Sequence, residues 1–314
     1  MVLKIGAGNI YQEFSKADPY LLAGAFFITL LGFVIKIYRW GKLYSVAGQM
    51  DAWRIYLIGM AVNQTMPAGS GELTRAYLAR SRLNIPVGET LAPVMIERLA
   101  DTTFMLALSV GYLAFITVGN GYLMQLIMPS SILFTGYYLL LKPDYIYKFA
   151  FLLEGFSGNS FFGTTVGRVS RSLKTFKDAI TRFSNKKKVI WQTILLTIAA
   201  WYVYGIGIYM LLLAFGYNIP IFYDMAIIAV SEIIGTFSFL PGGMGAKDIS
   251  FGALLIPFGV SVEVGISVFL MARLMAYIQI GTGALISLFN LNRVYPVDDV
   301  NKHPKSLHFN ITKE

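Results

Sequence analysis

The feature that most restricts this chain is a series of predominantly apolar stretches, each near the length of a bilayer crossing. A helix needs about 20 mainly apolar residues to cross the hydrocarbon core. Residues 20–38, 99–118, 122–141, 189–215 and 264–289 meet that requirement, and 221–240 is a further stretch with Glu232 in its middle. Two shorter pieces, 55–66 and 249–260, abut Pro/Gly-rich sequence. They suit re-entrant or broken helices better than full crossings. Composition agrees, because 56% of the side chains are hydrophobic and 14% are charged, against about 25% charged in soluble chains. The fold class expected is all-α: a polytopic membrane helix bundle of about 7–8 transmembrane helices with re-entrant or broken segments.

The chain divides accordingly. Residues 1–19 form a polar N-terminal segment, 20–289 the membrane domain and 290–314 a polar tail. The first apolar run has no small-residue cleavage site after it and reads as an anchor, not a signal peptide. Within the membrane domain, 20–141 and 189–289 are two halves joined by a basic linker, 142–188. Much of the net charge of +9 sits in that linker. Its Val166, Val169, Leu173, Phe176, Ile180 and Phe183 recur at spacings of 3, 4, 3, 4 and 3, one face of a helix. With Lys and Arg between them, 166–188 is expected to lie on an anionic membrane surface; the alternative is a solvated helix packed on the bundle. Nucleic acid is not an expected partner, and nothing in the sequence forbids oligomers. The Lys/Arg bias of the loops places the protein in the cell membrane with basic loops and C-terminus cytoplasmic.

Chemistry is bounded by what the chain lacks. There is no cysteine, and His303 and His308, its two histidines, lie in the polar tail. No metal site, cofactor or catalytic set is expected, and no nucleotide fingerprint is present.

The most informative motif is a repeat. Pro67-Ala68-Gly69-Ser70-Gly71 and Pro241-Gly242-Gly243-Met244-Gly245 share P-x-G-x-G, each directly after an apolar run, and an acid follows each, Glu72 and Asp248. Arg98-Leu99 comes 31 residues after Pro67, and Arg273-Leu274 comes 32 residues after Pro241. A period near 174 residues implies duplication, and the loop charges put the halves in opposite orientations, as an inverted repeat. Gly/Pro breaks at matching positions of two halves are a pointer to a transporter's binding site, because the backbone groups they free are tolerated only against protein or a water-filled cavity. The breaks are assigned to Asn63, Pro67, Gly69, Gly71, Pro241, Gly242, Gly243 and Gly245.

Ionisable residues at membrane depth form the second feature: Glu72, Arg75, Glu97, Arg98, Asp101, Glu232, Asp248 and Arg273. Each costs about 2.5–3.5 kcal/mol at a helix centre, so each must be paired or face a cavity. Glu97 and Asp101 are i, i+4 on one helical face. One reading is a cluster of mutually satisfied charges; the other is a polar cavity for a charged head group. Arginine suits bidentate phosphate binding. Arg98 and Arg273, aided by Arg75, are the candidate head-group ligands, with the five acids orienting them or competing with the ligand. Glu232 reads either as a partner of Arg273 or as a proton-coupled site.

Residues 63–75 (Asn-Gln-Thr-Met-Pro-Ala-Gly-Ser-Gly-Glu-Leu-Thr-Arg), Glu97-Arg98-Leu99-Ala100-Asp101 and Leu240-Pro241-Gly242-Gly243-Met244-Gly245-Ala246-Lys247-Asp248 resemble the lysylphosphatidylglycerol synthase transmembrane-domain family. The resemblance covers roughly residues 20–289, with Asp248 standing where the family usually has Glu. It implies a flippase-like body that moves a lipid across the bilayer. In the aminoacyl-lipid synthases that body accompanies a soluble catalytic domain; these residues hold no such domain, and the synthase activity is not expected to transfer. The leading expectation is translocation of an anionic or phosphate-bearing lipid by a protein that is not an enzyme. The alternative is an enzyme or accessory acting on a membrane lipid such as a polyprenyl-linked glycan carrier, and a scaffold without transport is a third reading.

Overall fold

Long apolar stretches require helices, because lipid offers the backbone no hydrogen-bond partner. The computed structural model describes residues 15, 17–44, 49–66, 69–83, 87–117, 178 and 186–294, and no strand occurs among them. The expected span 122–141 and nearly all of the amphipathic segment 166–188 lie outside the described residues, as do Pro67 and Ala68.

Eight α-helices fall into two sets of four with the same order. The first set is α1 (Pro19–Leu43), α2 (Gln49–Thr65), α3 (Ser70–Leu83) and α4 (Val87–Thr117). The second is α5 (Lys187–Ala214), α6 (Ile221–Phe237), α7 (Ala246–Leu255) and α8 (Val262–Val294). Each set runs long, short, break, short, long, with lengths of 25, 17, 14 and 31 residues against 28, 17, 10 and 33. At 1.5 Å per residue α7 covers about 15 Å, half a hydrocarbon core. Among the described residues, three of these eight helices are long and apolar enough to cross a membrane: Pro19–Leu43, Lys187–Ala214 and Val262–Phe289.

The sequence placed the short segments at 55–66 and 249–260. The structure moves the start of the first back to Gln49, because polar Gln49, Asp51 and Arg54 are absorbed into α2 instead of forming a loop. Residues 249–260 prove to be the end of α7, a 3-10 turn at Ile256–Phe258 and the left-handed Gly259. The last helix likewise continues to Val294, past the point where polarity suggested a tail.

The halves are joined along α1 and α5, which run antiparallel. Asp18 caps α1 by accepting from the Tyr20 N–H (2.8 Å) and Leu21 N–H (3.3 Å), and its own N–H donates to the Ala214 carbonyl at the end of α5 (3.0 Å). Near the other end Arg39 of α1 reaches Thr197 of α5 (2.6 Å). Small residues allow the close approach. A Cβ on Gly207 would run into the Thr29 methyl, and Thr29 turns its hydroxyl back to the Ala25 carbonyl (2.8 Å). Gln279 of α8 ties in by donating to the Phe26 carbonyl (2.8 Å) and to Thr29 Oγ1 (3.0 Å).

The remaining packing exchanges partners between halves. Helix α2 packs on α8, and its counterpart α6 packs on α4. With α1 and α5 antiparallel, this is the arrangement of an inverted repeat. A core drawn from both halves, including Ala25, Met105, Ile208, Leu211, Ile227, Phe251 and Val268, fills the interior. Phe27, Leu31, Val34, Trp191, Leu195 and Leu285 point outward on the long helices, a surface suited to lipid. Replacing Gly207 by leucine is expected to lower stability by about 1–3 kcal/mol through overpacking against α1. Thermal unfolding of the detergent-solubilised protein checks this, and an unchanged Tm would refute the glycine-width contact.

Candidate functional site

A charged side chain inside the bundle must find its counter-charge there, so the site is built from ion pairs. Arg39, within α1, is fully buried. It clamps Asp101 with two bonds (Nη1 to Oδ1 2.7 Å, Nη2 to Oδ2 2.9 Å) and also reaches Glu97 Oε1 (2.8 Å). The other oxygen of Glu97 accepts from Arg75 Nη1 (2.8 Å), whose guanidinium lies over the rings of Trp40 (4.6 Å) and Tyr56 (5.2 Å). Trp201 of α5 donates its indole N–H to Asp101 (2.9 Å). The i, i+4 pair Glu97 and Asp101 is thus a mutually satisfied cluster, as one of the two sequence readings had it.

Sequence reasoning missed Arg39, counting it as loop charge after the first span. The signal was available: two carboxylates on one helix face at membrane depth require a cation, and helical phase carries α1 past Tyr38 to Leu43 without a breaker. Asp224 stands apart at the start of α6, fully buried with neither carboxylate oxygen bonded.

At the two breaks the same motif recurs. In the first half Glu72, just past the break, pairs with Arg98 of α4. Asn63 donates to Glu72 (3.2 Å) and accepts from the Gly71 N–H (2.7 Å), tying α2 to α3. A Cβ on Gly71 would strike the Gly59 carbonyl oxygen, so the hairpin closes at glycine width. In the second half Asp248 pairs with Arg273 of α8 (Nη2 2.9 Å, Nε 3.2 Å), and Arg273 also donates to the Gly242 carbonyl (3.1 Å). Gly242, Gly243 and Gly245 take φ of 56°, 66° and 79°, left-handed values that kink the short turn Pro241–Gly243 and lead into α7. Asp248 accepts the Gly245 N–H (2.7 Å), satisfying a donor at the start of α7.

The structure therefore joins each acid after the break to the arginine about 25 residues later, a pairing that the sequence had left open. It also brings the breaks together across the halves. A Cβ on Gly242 would lie 3.0 Å from the Gln64 carbonyl oxygen and 3.3 Å from Arg273 Nη1. Glu232 is not a partner of Arg273; it accepts from Lys247 Nζ (2.6 Å), which is nearer because α6 and α7 pack as neighbours. The two arginines differ in exposure, with the Arg98 side chain 48% exposed and Arg273 9%. Among the described residues no group of three or more His, Cys, Asp or Glu side chains is arranged to hold a metal ion.

Two inverted halves, each with a broken hairpin latched to an arginine on the following helix, define a polytopic helical membrane protein of duplicated design. The chain belongs to the family described as lysylphosphatidylglycerol synthase TM region, whose model matches residues 1–283. Among similar proteins is a UPF0104 membrane protein of Methanothermobacter thermautotrophicus, 25% identical over 305 residues, covering 88% of this chain and 87% of the relative. Another UPF0104 membrane protein, of Methanocaldococcus jannaschii, is 25% identical over 295 residues, covering 87% and 85%. The glycosyltransferase AglD of Haloferax volcanii aligns over 105 residues at 27% identity, 32% of this chain and 17% of that protein. No solved structure matches the chain.

Arg39→Met would leave Asp101 buried without its cation and Glu97 with Arg75 alone. The expected loss is about 3–5 kcal/mol, read as a lower Tm in detergent. A variant as stable as wild type would show that the Arg39 cluster does not hold the halves together.

Proposed function

We propose that this protein moves a lipid with an anionic, phosphate-bearing head group from one leaflet to the other. The observation that carries this reading is the repeated acid–arginine latch, Glu72–Arg98 and Asp248–Arg273, at two hairpins that meet between inverted halves. A phosphate competes with a carboxylate for the same guanidinium fork. The acids tolerate such an exchange because each has another donor. Glu72 keeps Asn63 (3.2 Å) and Arg75 (3.6 Å), and Asp248 keeps the Gly245 N–H (2.7 Å). A head group that displaced either acid would leave no carboxylate orphaned in a low-dielectric interior. The positive φ of Gly242, Gly243 and Gly245 lets the hairpin bring the Gly242 carbonyl onto Arg273.

In this reading the lipid-facing exterior carries the acyl chains while the polar seam carries the head group. The basic linker rests on the anionic cytoplasmic surface, the C-terminus is cytoplasmic, and the protein forms no covalent bond with its cargo. A second reading, an enzyme or accessory acting on a polyprenyl-linked glycan carrier, is favoured by the partial alignment with a glycosyltransferase. Mass spectrometry of a total lipid extract incubated with the pure protein distinguishes the two, since only the second predicts a covalently altered lipid.

The direct test is reconstitution into vesicles containing labelled phosphatidylglycerol or a labelled polyprenyl phosphate. Wild type is expected to redistribute one of them between leaflets. Arg273→Ala is expected to slow that redistribution about tenfold or more, because a charge-assisted hydrogen bond to the head group is lost. Labels that stay on their original leaflets with the wild-type protein would refute the proposal.

A further inference from the structure

Among the described residues, Lys36 is left over at membrane depth when the ion pairs are assigned. Around Arg39 and the two hairpins lie six cations, Lys36, Arg39, Arg75, Arg98, Lys247 and Arg273, and five carboxylates, Glu72, Glu97, Asp101, Glu232 and Asp248. Each of these carboxylates is bonded by an arginine or by Lys247. Lys36, three residues before Arg39 on α1, has neither a hydrogen bond nor an ion pair among the described residues. Asp224 does not serve it, since both oxygens of that carboxylate are unpartnered.

What Lys36 has is an aromatic shelf. Its ammonium lies 4.6 Å from the ring centre of Trp201 and 5.4 Å from that of Tyr204, both on α5. Ring faces fix the position of a cation through their quadrupole, but they carry no charge and neutralise nothing. The ammonium is within electrostatic reach of Asp101 and Glu97 of the first half and of Glu232 of the second. It is partly exposed and held against the two rings. A lysine so placed is expensive in lipid unless it has a partner, and every fixed partner nearby is taken.

We propose that Lys36 is an anion-binding residue, and that Lys36, Trp201 and Tyr204 form the seat of a phosphate ester. This rests on the reading of the protein as a carrier of phosphate-bearing lipids and names a contact to that head group besides the latch arginines. The phosphate would give Lys36 the direct counter-charge that none of the five carboxylates supplies. The arginine latches, by contrast, each already hold a carboxylate.

Trp201 supplies the test. The full-length protein in detergent is titrated with dihexanoyl phosphatidylglycerol, dihexanoyl phosphatidylcholine and inorganic phosphate while tryptophan emission is followed; Trp201→Phe identifies the responding ring. The proposal expects a saturable change with phosphatidylglycerol and a weaker one with phosphatidylcholine, whose choline offsets its phosphate. Lys36→Met is expected to weaken binding about tenfold, and Lys36→Arg to restore most of it. Because Lys36 holds no bond, Lys36→Met should melt at the wild-type temperature or above. Inorganic phosphate binding as tightly as the lipid would keep the site and assign it to free phosphate. Unchanged affinity in Lys36→Met, or a lower Tm marking a structural lysine, would overturn the proposal. Flux measurements separate it from the transport reading: Lys36-dependent binding without wild-type flux sinks only transport, and full flux in Lys36→Met sinks only the site.

Discussion

The pairing of Arg39 with Asp101 and Glu97 is the interaction on which the rest of this structure depends. A guanidinium with no exposed surface in a membrane bundle is tolerable only when counter-charges and hydrogen bonds meet it, and both terminal nitrogens of Arg39 are so engaged. Here they come from three helices: α1 brings the arginine, α4 both carboxylates, and α5 the Thr197 hydroxyl and the Trp201 indole. Those helices belong to different halves, so satisfying one charge fixes the relative position of the two repeats. Arg75, stacked on Trp40 and Tyr56, extends the same network to α3 and thereby to the first broken hairpin.

Broken helices need a similar account. Each break frees backbone donors and acceptors that lipid cannot satisfy. Asn63 meets one such donor at Gly71, Asp248 meets one at Gly245, and Arg273 meets an acceptor at Gly242. The polar side chains near the breaks are thus first a structural requirement of having a break at all. Their capacity to engage a ligand comes second, from the fact that the same donors can be shared.

Much of this was legible in the sequence because it is periodic or repeated. Apolar length gave the long helices, and matching offsets from Pro67 and Pro241 singled out Arg98 and Arg273; which acid each arginine holds came from the structure. Arg39 was not legible in the same way. Its counterpart in the second half is not basic, so the repeat gave no cue, and position after an apolar run made it look like a topogenic loop charge. Glu232 failed for another reason. From sequence it read as a partner of Arg273 or as a proton-coupled site, and Lys247 was not considered; that pairing follows from the packing of α6 on α7, a three-dimensional fact. The start of α2 was hidden because Gln49, Asp51 and Arg54 look like loop residues when read one at a time, although the helix runs through them.

The two latches share their chemistry and differ in their surroundings. Asp248 and Arg273 are closed off together, whereas the Arg98 side chain stands half in the open beside a covered Glu72. An exposed ion pair is worth at most about 1 kcal/mol, because water replaces either partner at small cost. A covered one resists separation by several times that amount. Duplication has therefore given this molecule a stiff clasp and a loose one, and thermal motion alone suffices to undo the second while the first stays fastened.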